Sequence, residues 1–144
     1  MEIKPIGVIH SPFRFKGETP IQPSRSNARG KIEVFKEYEE GLEDIEGFSH
    51  VILIYQFHKS EGYSLKVKPY LDDKLRGLFA TRAPRRPNQI GLSVVKLLMR
   101  KENILFIEGI DILDGTPLLD IKPYIPDLVP KGKIKIGWLK GKIQ

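Results

Sequence analysis

Apolar residues in this chain come in short runs, largely β-branched and bounded by Gly, Pro or Asp, which is the punctuation of strands. Nine runs fit: 4–10 (KPIGVIH), 30–35 (GKIEVF), 50–57 (HVILIYQF), 64–70 (SLKVKPY), 77–82 (GLFATR), 91–99 (GLSVVKLLM), 104–113 (ILFIEGIDIL), 118–124 (LLDIKPY) and 133–138 (KIKIGW). In the last, Ile134, Ile136 and Trp138 alternate with Lys133 and Lys135, which predicts a half-buried strand with a cationic outer face. Only 37–48 (EYEEGLEDIEGF) has helical spacing, with Leu42, Ile45 and Phe48 three apart. Gly41 and Gly47 keep that helix short.

The connections differ in kind. LMRKENILF is a tight turn between two apolar runs and predicts a hairpin, and Asp114 to Pro117 (DGTP) is a turn in which Gly supplies a positive φ. Residues 11–30, with three prolines and no periodicity, form a long N-terminal loop. Eight or nine strands and one short helix predict a mainly β fold, a small antiparallel sheet closed into a barrel because closure removes its edges. No βα alternation or G-x-G-x-x-G supports a Rossmann domain. At 144 residues the chain is expected to be one domain, 1–144.

Composition narrows the class. Apolar residues make up 40% and charged ones 29%, as in ordinary globular proteins, and no run reaches the ~18 apolar residues of a membrane span. The start lacks a secretory leader's pattern, and the absence of cysteine excludes disulfides, thiolate nucleophiles and Cys-based zinc sites. The expected compartment is the cytoplasm. No histidine spacing suggests a metal. The formal charge of +6 favours anionic partners, and it is segregated, with an acidic island at 37–46 and basic stretches at 14–29, 76–86 and 131–142. That pattern suits nucleic acid, and equally a lysine-rich surface of a heat-adapted protein.

The most distinctive stretch is TRAPRRPNQIGLS, Thr81 to Ser93. Pro84 and Pro87 restrain the backbone, so the loop loses little entropy on holding a ligand. Arg82, Arg85 and Arg86 offer permanently charged planar forks for phosphate or carboxylate, and Asn88 and Gln89 offer amides. The plainer reading is a surface loop whose arginines pair with the acidic island. His58, at the end of an apolar run, could contact a ligand or serve a structural role. Asp114 could bind a ribose or simply begin a turn. Lys133 and Lys135 are a plausible phosphate track.

Together, FATRAPRRPNQIGLSVVKL (79–97) and DILDGTPLLDIKPYIP (111–126), with SHVILIYQFHK (49–59) and IGVIHSPF (6–13), resemble the TrmO or TsaA-like family. The resemblance implies a small closed β-barrel, dimeric, that binds S-adenosylmethionine and methylates N6 of threonylcarbamoyl-adenosine next to the anticodon of a tRNA. It implies cofactor contacts at Pro20, Ile21, Gln22, His58, Lys59, Arg82, Leu92, Asp114, Gly115, Thr116 and Pro117. Arg85, Arg86, Asn88, Lys133 and Lys135 are then the expected RNA contacts, and His58 and Asp114 the candidate proton acceptors. Gln89 replaces the second proline of the family's PNPIGLS. The additional C-terminal domain of many bacterial members has no counterpart in these 144 residues. A small-molecule methyl acceptor, or a non-catalytic RNA-binding barrel, remains an alternative.

Overall fold

The structure, a computed structural model, describes residues 1–19 and 26–143. Its strands are β1 (Gly7–His10), β2 (Arg29–Val34), β3 (His50–Gln56), β4 (Lys66–Val67), β5 (Arg76–Gly77), β6 (Ile90–Lys101), β7 (Ile104–Glu108) and β8 (Thr116–Pro123). Six of them close into a barrel in the order β1-β2-β7-β6-β3-β8, every neighbour antiparallel. Closure comes where Gly7 pairs Leu118 and Ile9 pairs Thr116. The expected mainly β barrel is borne out.

Alternation decides what fills it. Ile9, Ile32, Val34, Val51, Leu53, Val95, Leu105, Ile107 and Leu118 point inward and are at most 1% exposed. Each such side chain contributes about 1.5–3 kcal/mol on burial. The interior is therefore packed with side chains, and any ligand must sit at a mouth or on the outside. At Gly7 a Cβ would lie 2.2 Å from the Glu33 carbonyl oxygen, so the β1–β2 approach requires glycine. The β6–β7 hairpin forms as expected, turning at Glu102 with φ 55°.

Five expected elements need correction. The run 133–138 forms no strand, and Ile134 and Ile136 are 58% and 40% exposed. The cause is topological: a closed barrel has no edge on which a further strand could pair. The runs 64–70 and 77–82 yield only β4 and β5, two residues each, and the second continues as a 3-10 turn at Leu78–Ala80. Among the described residues they have only each other as partners. The run 104–113 stops being strand at Glu108, because Gly109 (φ 89°) turns the chain across the barrel mouth, where Ile110 and Ile112 plug it. The helical stretch is two 3-10 segments, Lys36–Leu42 and Ile45–Gly47, interrupted at Asp44 (φ 72°).

Candidate cofactor and substrate site

The end of β3, the start of β6 and the start of β8 all reach one end of the barrel, where residues 109–115 cross it. Backbone bonds tie the crossing down: Asp114 N donates to Phe13 O (2.7 Å) and Gly115 N to Ile9 O (2.9 Å). The Asp114 carboxylate accepts from Ser11 N at 2.9 Å, and Ser11 Oγ donates to Ile112 O at 2.5 Å. Asp114 thus begins the turn and still presents a second oxygen that has no partner among the described residues. Gly115 takes φ 82°, and among the described residues no atom beyond its chain neighbours lies within 4 Å of where a side chain would stand. Its Cα face is open to a ligand, while its N–H is already given to Ile9 O.

Thr116 and His58 meet across this turn. Thr116 Oγ1 donates to Leu113 O at 2.6 Å, so toward His58 Nδ1, 3.4 Å away, it can only accept. That contact assigns the imidazole hydrogen to Nδ1 and leaves the lone pair on Nε2. Burial, together with the Lys59 charge, pushes the His58 pKa below its usual value, partly opposed by the Gln56 backbone. His58 is neutral at neutral pH and able to take a proton. Pro117 follows in β8, and Lys59 is exposed. Pro20, Ile21 and Gln22 lie outside the described residues.

The arginine loop joins the same end, where Phe57 N donates to Gln89 O at 2.8 Å. Its guanidinium groups all bond to backbone carbonyls. Arg82 Nη2 donates to Leu92 O (2.8 Å) and Arg85 Nε to Glu61 O (3.0 Å). Arg86 Nη1 bridges Thr81 O and Ala83 O, both at 3.0 Å, and the guanidinium lies 5.8 Å from the centre of the Phe79 ring. Arg86 therefore shapes the loop it belongs to. No carboxylate pairs with any of the three among the described residues, and the acidic island instead offers Glu46 to Arg100. The reading of these arginines as partners of the island is set aside. Leu92 is 48% exposed on the outer face of β6, and Asn88 is exposed. Lys133 and Lys135 are exposed too, in an irregular segment.

Sequence reasoning missed a buried chain between the two groups. Tyr55 OH bonds Ser93 Oγ (2.8 Å), which donates to Asp111 Oδ1 (2.9 Å). Since the Ser93 hydrogen goes to the carboxylate, the Tyr55 hydroxyl is the donor to Ser93. Burial, reinforced by the Asp111 charge, pushes the Tyr55 pKa up to about 12, and burial raises that of Asp111. The Arg82 charge opposes both shifts, which places it beside this network. The one available signal was Ser93, a polar residue at an inward position of an otherwise apolar strand.

Comparison with known proteins now bears on this arrangement. Residues 8–128 match the model of the tRNA-methyltransferase O N-terminal domain. A probable S-adenosyl-L-methionine-binding protein of Pyrococcus abyssi is 55% identical over 97% of this chain and 77% of its own. The human tRNA (adenine(37)-N6)-methyltransferase is 41% identical over 86% of this chain and 30% of its own length. The crystal structure of TrmO from Pseudomonas aeruginosa superposes with a TM-score of 0.80 at 41% identity, over 95% of this chain. The chain spans 61% of that TrmO chain. With the family model matched over most of its length and the same barrel in the solved relative, the chain belongs to the tRNA-methyltransferase O N-terminal domain family.

Proposed function

We propose that this chain transfers a methyl group from S-adenosylmethionine to N6 of a tRNA adenosine, namely threonylcarbamoyl-adenosine next to the anticodon. The observation that carries the reading is a restrained loop with three arginines unpaired with any carboxylate among the described residues, on the barrel end that also presents His58 and the Asp114–Pro117 turn. The names of the human and Pyrococcus abyssi relatives support it. So does the fit of the residues to the cofactor. Arg82 offers a guanidinium to a carboxylate, Asp114 a free oxygen to ribose hydroxyls, Gly115 an unobstructed Cα face and Leu92 an apolar surface.

When bound, the cofactor supplies an electrophilic methyl carbon on a positively charged sulfur. The chain's own work is alignment and proton removal. His58, held neutral with its Nδ1 proton directed at Thr116, accepts the proton of the carbamoylated nitrogen at Nε2. Asp114 is the other candidate acceptor, through the oxygen that does not serve Ser11. Arg85, with Asn88, Lys133 and Lys135, supplies sequence-independent attraction to the RNA backbone. Arg86 adds charge while ordering the loop.

The outer face of β6 supports a homodimer. Ile90, Leu92, Leu98 and Met99 are 37–53% exposed there, and Phe79 beside the loop is 72% exposed, more apolar surface than a lone barrel needs. We place the protein in the cytoplasm with its tRNA, as one unit over 1–144. No helix among the described residues is long and apolar enough to cross a membrane.

Calorimetric titration with S-adenosylmethionine, beside Arg82→Ala, tests the reading together with a tRNA methylation assay. Saturable binding lost in the variant, with methyl transfer to tRNA, is the expected result. Cofactor binding without tRNA binding would point to a small-molecule acceptor. tRNA binding without cofactor binding would leave a non-catalytic barrel. The acid limb of kcat/KM is expected below pH 6.5, the ordinary histidine value, and absent in His58→Ala. An unchanged limb in that variant removes His58 as the proton acceptor. Arg85→Ala should weaken tRNA binding and reduce the salt slope by about one.

A further inference from the structure

Between the barrel and the arginine loop, Ser64–Ala80 forms an arm whose one ladder among the described residues is the two-residue pairing of β4 with β5. A hairpin of that length does not hold itself. Leu78, 1% exposed, fixes one end of it, and its polar fastening comes from the tail. Gly137 (φ 56°) and Gly141 (φ 83°) fold the tail into two consecutive turns that bring Trp138 and Lys142 onto the arm. Lys142 Nζ lies 2.6 Å from Asp72 Oδ1, and Arg76 Nε bonds the other oxygen. The Asp72 side chain is 1% exposed. Its hydrogen bonds to Lys142, then to Arg76, hold the carboxyl well below the usual carboxylate range, so it stays ionised. Both cations lie 5.7 Å from the centre of the Trp138 ring. The indole Nε1 donates to Ala80 O at 2.8 Å.

Ala80 is two residues from Arg82, and the contacts run on without a gap. Thr81 bonds back to Leu78 O through both its amide and its hydroxyl, and Arg86 holds Thr81 O. Arg82 itself reaches Leu92 O on the barrel. The loop is therefore fastened at one side by the barrel and at the other by the tail.

We propose that Gly137–Ile143 is a clasp, and that Trp138 and Lys142 are positioning residues that set the Arg82 loop for its ligand. The tail adds no rung to the barrel, which closes through β1 and β8 alone. Its loss should therefore loosen the loop and spare the barrel. The ligand half of this inference rests on the function proposed above, but the loop half does not.

The test is segment-resolved hydrogen exchange of the full chain and of Trp138→Ala/Lys142→Met, with S-adenosylmethionine titrations of both. Amides of 76–89 should exchange about tenfold faster in the variant, the strands of the barrel should be unchanged, and the dissociation constant should rise by about the same factor. Lys142→Arg, which keeps the cation, should exchange and bind like the unaltered chain. Loop exchange that does not change overturns the clasp, and so does a rise shared equally by the barrel strands. If the unaltered chain fails to bind the cofactor while the variant's loop still exchanges faster, the clasp stands and the methyltransferase reading falls. If the loop loosens and cofactor affinity does not move, Trp138 and Lys142 are structural and their positioning role is refuted.

Discussion

The barrel and the arm with its tail are built on opposite principles. In the barrel, six strands satisfy one another's backbone groups all the way round, and the apolar faces meet inside. In the arm, a two-residue ladder leaves most of the work to side chains: the buried Leu78, one carboxylate, two cations and an indole. Redundant hydrogen bonds make the first insensitive to any one polar group. The second depends on a handful of directional contacts, each of which can be removed singly. Arg82 sits where the two meet, so the wall it would give the proposed site is conditional while the floor is rigid.

The largest effects should therefore come from the barrel's packing. Leu53→Ala or Leu105→Ala, at positions with 0% exposure, should cost about 2–5 kcal/mol in reversible denaturation and speed exchange throughout the molecule. A smaller loss, or one confined to a segment, would break the claim that the barrel is one cooperative unit. Gly91→Ala comes next. A Cβ there would stand 2.5 Å from Tyr55 Cε2 and 2.7 Å from Phe57 Cζ, on rings that are themselves packed edge to face. We expect a loss of about 1–3 kcal/mol by the same measurement, with cofactor affinity falling because Phe57 anchors Gln89 of the loop.

The same contrast explains what could be read from the sequence. The barrel strands were legible as β-branched apolar runs with Gly, Pro or Asp at their ends, and in β3 the inward Val51, Leu53 and Tyr55 keep period two because burial enforces it. KIKIGW carries the same period and is not a strand, because alternation states which face is apolar but not whether an edge is free. The break at Gly109 was invisible, since Ile110 and Ile112 continue the apolar pattern while serving as a plug. The arginine loop was legible from its prolines, which act locally. The Asp72–Lys142 contact was not, because two polar turn residues far apart in sequence announce nothing about each other.

An intermediate effect lies in the buried network beside Arg82. Burial raises the Asp111 pKa in the fold, so its contribution to stability is full below the ordinary value of 3.8 and is lost as pH rises through the raised value. Asp111→Asn keeps an acceptor for Ser93 Oγ and never ionises. Its stability relative to the unaltered chain should therefore increase from acid to neutral pH, in paired urea denaturations on either side of the carboxylate range. A constant difference would mean that the carboxylate is not penalised. If Asp111→Asn is the more stable form at neutral pH and also slower in methyl transfer, the charge is retained for the site at a cost to the fold.

The smallest effect sharpens the comparison from the other side, because it concerns a charge pair in the wrong place to matter. Arg100 Nη1 approaches Glu46 Oε1 at 3.4 Å, with Glu46 53% exposed, and Arg100 also donates from Nε to Glu102 O at 2.8 Å. Water competes for this pair, and the barrel beneath it is already closed. Glu46→Ala should change stability by no more than about 0.5 kcal/mol. It should leave exchange in 76–89 untouched. Asp72 also pairs with an arginine, but it is shielded from water, shared with Lys142 and placed in a segment whose backbone ladder is two residues long. Asp72→Asn should leave the denaturation midpoint of the barrel nearly as Glu46→Ala does, yet loosen the arm where Glu46→Ala does not. If the two variants give the same exchange profile, the arm has support beyond its clasp, and the division between a self-sufficient barrel and a dependent arm fails.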